Sequence, residues 1–209
     1  MVRGSLIAVG AAAAFGVASA MLAAQAPAPQ PQQNPPPAAA DPSVAQGQGR
    51  GGSPIQAARA AIKGANGVSG NATFYEIANG QGHMVQVVLT LQNAAPGLHG
   101  VHIHNTGKCE GPDFKSSGGH FDPGPAGNPD PDVNHPYHMG DLPNININAQ
   151  GSGQYNVYST RITMGGPTGV FDTDGSAIVI HQNLDTVTPG PTGSGVAGGA
   201  PIACGVIER

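Results

Sequence analysis

The residues best suited to chemistry in this chain lie in Leu98-His99-Gly100-Val101-His102-Ile103-His104. Val101 and Ile103 alternate with two histidines. That is the side-chain period of a β-strand, so His102 and His104 project from one face, about 7 Å apart. Two imidazoles fixed on a stiff strand can hold one metal ion. A merely solvated face would carry Thr, Lys or Glu instead. Four further histidines have ligand-like surroundings: His120, the close pair His135 and His138, and His181, with Asp141 following His138 at i+3. Six histidines are too many for one ion, so two sites are expected. Histidine-only coordination suits copper, because imidazole tolerates both oxidation states, and histidine plus a carboxylate suits zinc. His83 has no such company and reads as a surface residue.

The elements that must position these residues are short strands. Ala58, Ala60 and Ile62 alternate, as do Val85, Val87, Leu89 and Leu91. Asn71 to Ile77 reads as a strand closed by the turn signal Asn79-Gly80, and Pro96-Gly97 turns the chain into the histidine strand. Leu142 to Ala149, Gln154 to Arg161, Ser176 to His181 and Ile202 to Ile207 complete the set. No window keeps a helical period. The pattern predicts an all-β, antiparallel sandwich or barrel. Two long Gly/Pro-rich loops interrupt it, Asn105 to His138 and Leu184 to Pro201. The first carries Cys109, His120, His135 and His138, and long loops of that kind are functional when they are ordered.

Composition bounds the rest. The chain has 209 residues, 10% of them charged, with 33 Gly, 20 Pro, no Trp and a formal net charge of −4. It has no basic block, which argues against a nucleic-acid partner. Residues 1–20 read as a signal peptide: Arg3, the apolar run Leu6 to Ala18, then the small-residue pattern Ala18-Ser19-Ala20. An uncleaved anchor is the other reading. Residues 21–54 are a Pro/Gln/Ala/Gly-rich linker with almost nothing to bury, expected to be disordered. Residues 55–209 form the folded domain. Export followed by a tether places the domain in the periplasm, at the cell envelope or outside the cell. An even cysteine count, Cys109 and Cys204, in an exported chain predicts one disulfide.

Taken in order, these pieces resemble the secreted, bacterial-type copper/zinc superoxide dismutases. The matching residues are Gly97 to His104, Gly107 with Cys109, Gly118-Gly119-His120-Phe121-Asp122-Pro123, His138-Met139-Gly140-Asp141-Leu142, Ile180-His181 and Ala203-Cys204-Gly205-Val206-Ile207. They cover the chain from about Ala57 to Glu208. The resemblance implies an eight-stranded antiparallel Greek-key barrel or sandwich with two long functional loops. It implies copper on His102, His104, His120 and His181, and zinc on His120, His138 and Asp141, with His120 bridging the two metals. Cys109 and Cys204 match the family's intrasubunit disulfide. Asp185 matches a carboxylate that links copper and zinc ligands by hydrogen bonds, and His99 a histidine packed behind the copper ligands. The implied reaction is dismutation of superoxide to dioxygen and hydrogen peroxide, with His120 as the catalytic proton carrier.

Two departures stand out. Asn128 occupies the position of the family's first zinc histidine, in the rewritten loop Gly124 to Asn134, so His135 is the expected substitute. Pro201 occupies the position of the family arginine that attracts the anion, and no Lys or Arg lies between Thr186 and Pro201. Lys108, Lys115 and Arg161 are the candidates to replace it in space. The lost guanidinium costs about 1–3 kcal/mol of docking, or roughly ten- to a hundredfold in rate. That leaves a second reading, a dismutase-like domain that binds or delivers copper with low turnover, and a third, a metal-free envelope scaffold. The oligomeric state stays open.

Overall fold

The computed structural model describes residues 56–78, 83–124, 127–166 and 168–209. The expected signal segment, the linker and the Asn79-Gly80 turn lie outside them. Eight strands follow one another: β1 (Gln56–Gly64), β2 (Ser69–Ala78), β3 (His83–Gln92), β4 (Gly97–His104), β5 (Asp141–Ile147), β6 (Gly153–Ser159), β7 (Ala177–His181) and β8 (Pro201–Val206). They pair antiparallel in the order β5-β4-β7-β8-β1-β2-β3-β6.

The two ends of that order meet. A turn with Asn148 N–H donating to Ser152 O at 2.9 Å joins β5 to β6. Gly153 then lies so close that a Cβ on it would sit 2.5 Å from Ile147 Cδ1. The sheet is therefore a nearly closed barrel. The β3–β4 and β6–β7 connections run between strands that are not neighbours, which makes it a Greek key.

Alternation does what it predicts on most strands. Val85, Val87, Leu89 and Leu91 of β3, Ile62 of β1, Phe74 of β2, Ile145 of β5 and Ile178 of β7 all point into one core. β4 differs, because both its faces are buried from His99 onward. Val101 and Ile103 face the core, while His102 and His104 are 0% and 3% exposed on the other side. The two long loops fold over that outer face and roof it. The disulfide between Cys109 and Cys204 pins the first loop to β8. A small apolar cluster of Phe114, Ala177, Val179 and Cys204 sits beneath it.

Candidate metal centre

β4 is the platform. It pairs with β5, which begins at Asp141, and with β7, which ends at His181. His120 reaches the same place through the backbone. Residues His104 and His120 form an antiparallel bridge, and Phe121 N–H donates to Ile103 O at 2.9 Å. Gly140 completes the arrangement, receiving Ile103 N–H at 2.9 Å and donating to Phe121 O at 2.8 Å. A Cβ at 140 would strike Ile103 O, so only glycine allows this approach and holds Asp141 where it is.

Two groups of ligand atoms converge. In the first, one atom each from His102, His104, His120 and His181 all lie within 4.8 Å of one another, and all four residues are buried. On three rings the other nitrogen is committed to a protein acceptor. His102 Nε2 lies 3.0 Å from Asp185 Oδ2, His104 Nδ1 lies 2.8 Å from Gly118 O, and His181 Nδ1 lies 2.8 Å from Gly199 O. Each of those nitrogens donates its proton, which leaves His102 Nδ1, His104 Nε2 and His181 Nε2 with lone pairs facing inward. His102 Nδ1 and His120 Nε2 are buried without any protein partner. Orphaned lone pairs that converge in a closed space are costly unless an ion takes them, so the donor set fits copper. Burial first, then the neighbouring imidazoles, pushes His102 and His104 well below the usual histidine range. Burial likewise lowers His181 to about 4. The rings are neutral and ready to bind.

The second group gathers around Asp141. Ligand atoms of His102, His120, His135 and Asp141 also lie within 4.8 Å of one another. His138 joins them, with Nδ1 3.0 Å from Asp141 Oδ2 and 3.4 Å from His120 Nδ1. His120 Nδ1 is 2.7 Å and His135 Nδ1 3.3 Å from the same carboxylate. Three Nδ1 atoms and one carboxylate make a tetrahedral donor set of the kind zinc takes. His102 is near both groups, but Asp185 occupies its Nε2. His120 has both nitrogens available, one toward each group. Burial opposes protonation of His135, but Asp141 and Asp185 outweigh it and raise the ring to about 9. Burial would raise Asp141, but the three histidines outweigh it and hold the carboxyl far below the usual range.

Asp185 joins the two groups. It accepts from His102 Nε2 through one oxygen and from His135 Nε2, at 2.6 Å, through the other. Thus His135, the substitute expected for the residue lost at Asn128, presents one nitrogen to Asp141 and one to Asp185. His99 lies behind β4, with its ring nitrogens 2.8 Å from His181 O and 2.8 Å from Ala95 O.

A family model described as copper/zinc superoxide dismutase matches residues 68–207. The chain belongs to the copper/zinc superoxide dismutase family. It is 37% identical to the copper-zinc superoxide dismutase of Caulobacter vibrioides over 158 residues, covering 73% of this chain and 86% of that one. The copper-zinc superoxide dismutase of Deinococcus radiodurans is 38% identical over 151 residues, covering 68% and 78%. Among solved structures, a superoxide-dismutase-like protein from Bacillus subtilis matches with a TM-score of 0.58 at 28% identity, covering 71% of this chain and 96% of that one. The cofactors are copper and zinc, as the family and the two donor clusters agree.

No side-chain contact among the described residues ties the three candidate replacements for the family arginine to the copper-side imidazoles. Lys115 is exposed and lies 3.3 Å from Asp113, and Lys108 is exposed. Arg161 is bound to the other loop, donating to Pro136 O at 2.7 Å and to Asp141 O. Pro201 itself pairs with His181 at the start of β8, where a strand tolerates a missing N–H. Sequence reading missed Asp132, which is 3% exposed. Nothing in the sequence separates it from Asp130, two residues earlier.

Proposed function

We propose that this protein dismutes superoxide in an exported compartment, with copper at His102, His104, His120 and His181 and zinc at His120, His135, His138 and Asp141. Copper, when bound, supplies the one-electron couple that accepts an electron from one superoxide and returns it to another. The protein's residues do the rest. His102, His104 and His181 are held in one tautomer by Asp185, Gly118 O and Gly199 O, so no proton must move before an ion is bound. His120 Nε2 is the one ring atom that faces the four-imidazole space with its partner nitrogen aimed at the Asp141 group. It is the atom suited to hold a proton and pass it to the departing peroxide. The roof made by the two loops keeps bulk water from the rings.

The observation that carries this reading is the convergence of four buried imidazoles, three of them with the outward nitrogen already committed. The test is superoxide consumption by purified protein loaded with both metals, measured against free copper at equal concentration and against His104→Ala. A rate that depends on the protein and falls at least about a hundredfold in the variant supports the reading. Stoichiometric copper with no protein-dependent rate supports the second one, a copper-binding or copper-delivery domain of low turnover. Pro201 is the observation that favours that alternative.

Export is supported by the leader-like residues 1–20 and by the disulfide, which persists in oxidising compartments. Fractionation of cells producing the full chain tests it, and residence with cytosolic markers would overturn it.

A further inference from the structure

We infer that Asp132 is a positioning residue for the copper-side loop, clamping it so that the Gly199 carbonyl stays on His181. Asp132 is buried, yet none of the ion pairs among the described residues involves it. An uncompensated buried carboxylate is costly unless N–H donors satisfy it. Here they come from a distant segment. Asp132 Oδ2 accepts from Gly195 N–H at 2.9 Å and Oδ1 from Ala197 N–H at 3.2 Å. The Asp132 carbonyl accepts from Gly190 N–H at 2.9 Å. Outside this clamp, Thr192 Oγ1 donates to Asp130 Oδ2 at 2.7 Å.

Between the two clamped amides the loop is also held at Val196, whose carbonyl accepts from Thr186 N–H at 2.8 Å and from Thr186 Oγ1 at 3.2 Å. Five glycines lie between 190 and 199, and glycine-rich segments lose the most chain entropy on ordering. Val187 is 56% exposed and is tied down through its N–H, which donates to Asp185 Oδ1 at 2.6 Å. From Ala197 the path to the metal centre is short. Ala197 bridges to Asp185, Gly198 O receives Asn183 N–H at 2.9 Å, and Gly199 O receives His181 Nδ1–H. Gly198 is packed so tightly that a Cβ would lie 2.8 Å from His181 Cβ. Releasing Gly195 and Ala197 therefore loosens the segment leading into Gly199, whose carbonyl sets the tautomer and aim of the His181 ring. Asp132 precedes His135 in the same loop, so one segment carries both a zinc-side imidazole and the clamp on the copper side.

The test is Asp132→Asn in the full chain. The amide keeps the shape but turns an NH2 toward one of the two N–H donors. Two readouts apply: hydrogen exchange at Gly195 and Ala197, and the electron paramagnetic resonance spectrum of one equivalent of copper(II). Expected are about tenfold faster exchange at both amides and an altered copper hyperfine splitting with copper still bound. Thr192→Val, which removes only the outer contact, is expected to leave the spectrum unchanged. Exchange within about twofold of the parent protein together with an unchanged spectrum overturns the inference. So does a Thr192→Val change as large as that of Asp132→Asn. If Asp132→Asn does not fold, the parent protein decides. Gly195 and Ala197 must then exchange at least about tenfold more slowly than Gly193, and equal rates refute the clamp. The spectroscopic arm rests on the proposed copper site, and the exchange arm does not. A protein that protects both amides but binds no copper refutes that function and keeps this inference.

Discussion

Asp185 Oδ1 lies 2.6 Å from His135 Nε2, although 50 residues separate them in the chain. The other oxygen of Asp185 lies 3.0 Å from His102 Nε2. One carboxylate thus orients a ring in each metal group, and it can accept from both only while it is ionised. Burial would raise its pKa, but His102 and His135 outweigh burial and hold the carboxyl far below its usual range. Asp185→Asn replaces one acceptor with an NH2 that opposes a ring N–H. Zinc affinity is expected to fall about 10- to 100-fold with the fold retained. Competition against a chelator of known affinity measures it, and an unchanged affinity would show that the backbone alone aims His135.

The two metal groups should differ in the protons they release. Raised to about 9, His135 is protonated at neutral pH in the metal-free protein. Zinc needs the neutral ring, so its uptake at pH 7.5 releases about one proton from His135, and affinity rises about tenfold per pH unit up to the ring's own pKa. His181, lowered to about 4, is already neutral, so copper uptake releases almost none. Titration calorimetry in buffers of different ionisation enthalpy separates the two.

The same shifts set the stability of the metal-free protein. The depressed His181 pKa contributes stability that is present above about 6.5, the unfolded value, and is lost as pH falls toward about 4. The raised His135 pKa has the opposite sign. Its contribution is present below about 6.5 and is lost as pH rises through about 9. Thermal melts of metal-free protein should fall away on both sides of that window. His181→Gln should flatten only the acid arm, and flattening of the alkaline arm instead would contradict the assignment.

The Cys109–Cys204 disulfide spans a sequence separation of 95. Chain entropy alone assigns such a bridge about 4–5 kcal/mol. The loop it pins also carries Gly118, whose carbonyl receives His104 Nδ1. Replacing both cysteines by serine should therefore lower stability by about that amount in urea unfolding and loosen copper as well. A loss below about 1 kcal/mol would show that the Phe114 cluster holds the loop unaided.

Much of the centre could be read without coordinates, for a physical reason. A strand's period of two places His102 and His104 on one face whatever the tertiary fold, and alternation in β3 names its core side chains outright. Pairing order is different. Nothing local says that β4 lies between β5 and β7, so the meeting of His181 with His102 was accessible only through family resemblance. His135 too came through the resemblance, which implies a histidine where Asn128 stands and makes His135 the nearest substitute. Asp132 and Arg161 were not legible. Asp132 looks like any loop aspartate until burial and two distant N–H donors are seen. Arg161, a candidate anion guide on charge alone, instead braces the Pro136 and Asp141 carbonyls.

Pro201 lies opposite His181 in the β7–β8 pairing, at the position where the family resemblance implies a guiding arginine. Pro201→Arg should place a guanidinium beside the copper-side imidazoles without disturbing a strand hydrogen bond, since proline donates none. If dismutation is limited by docking of an anion, the variant should run about ten- to a hundredfold faster at low salt. Its rate should then decline as ionic strength rises and the Debye length shrinks below about 10 Å. The parent protein, with no cation in the loop from 186 to 201, should show a much weaker salt dependence. Stopped-flow superoxide decay across a salt series checks both slopes. A variant that is no faster, with equal salt slopes, would mean that charge at this position does not govern the rate.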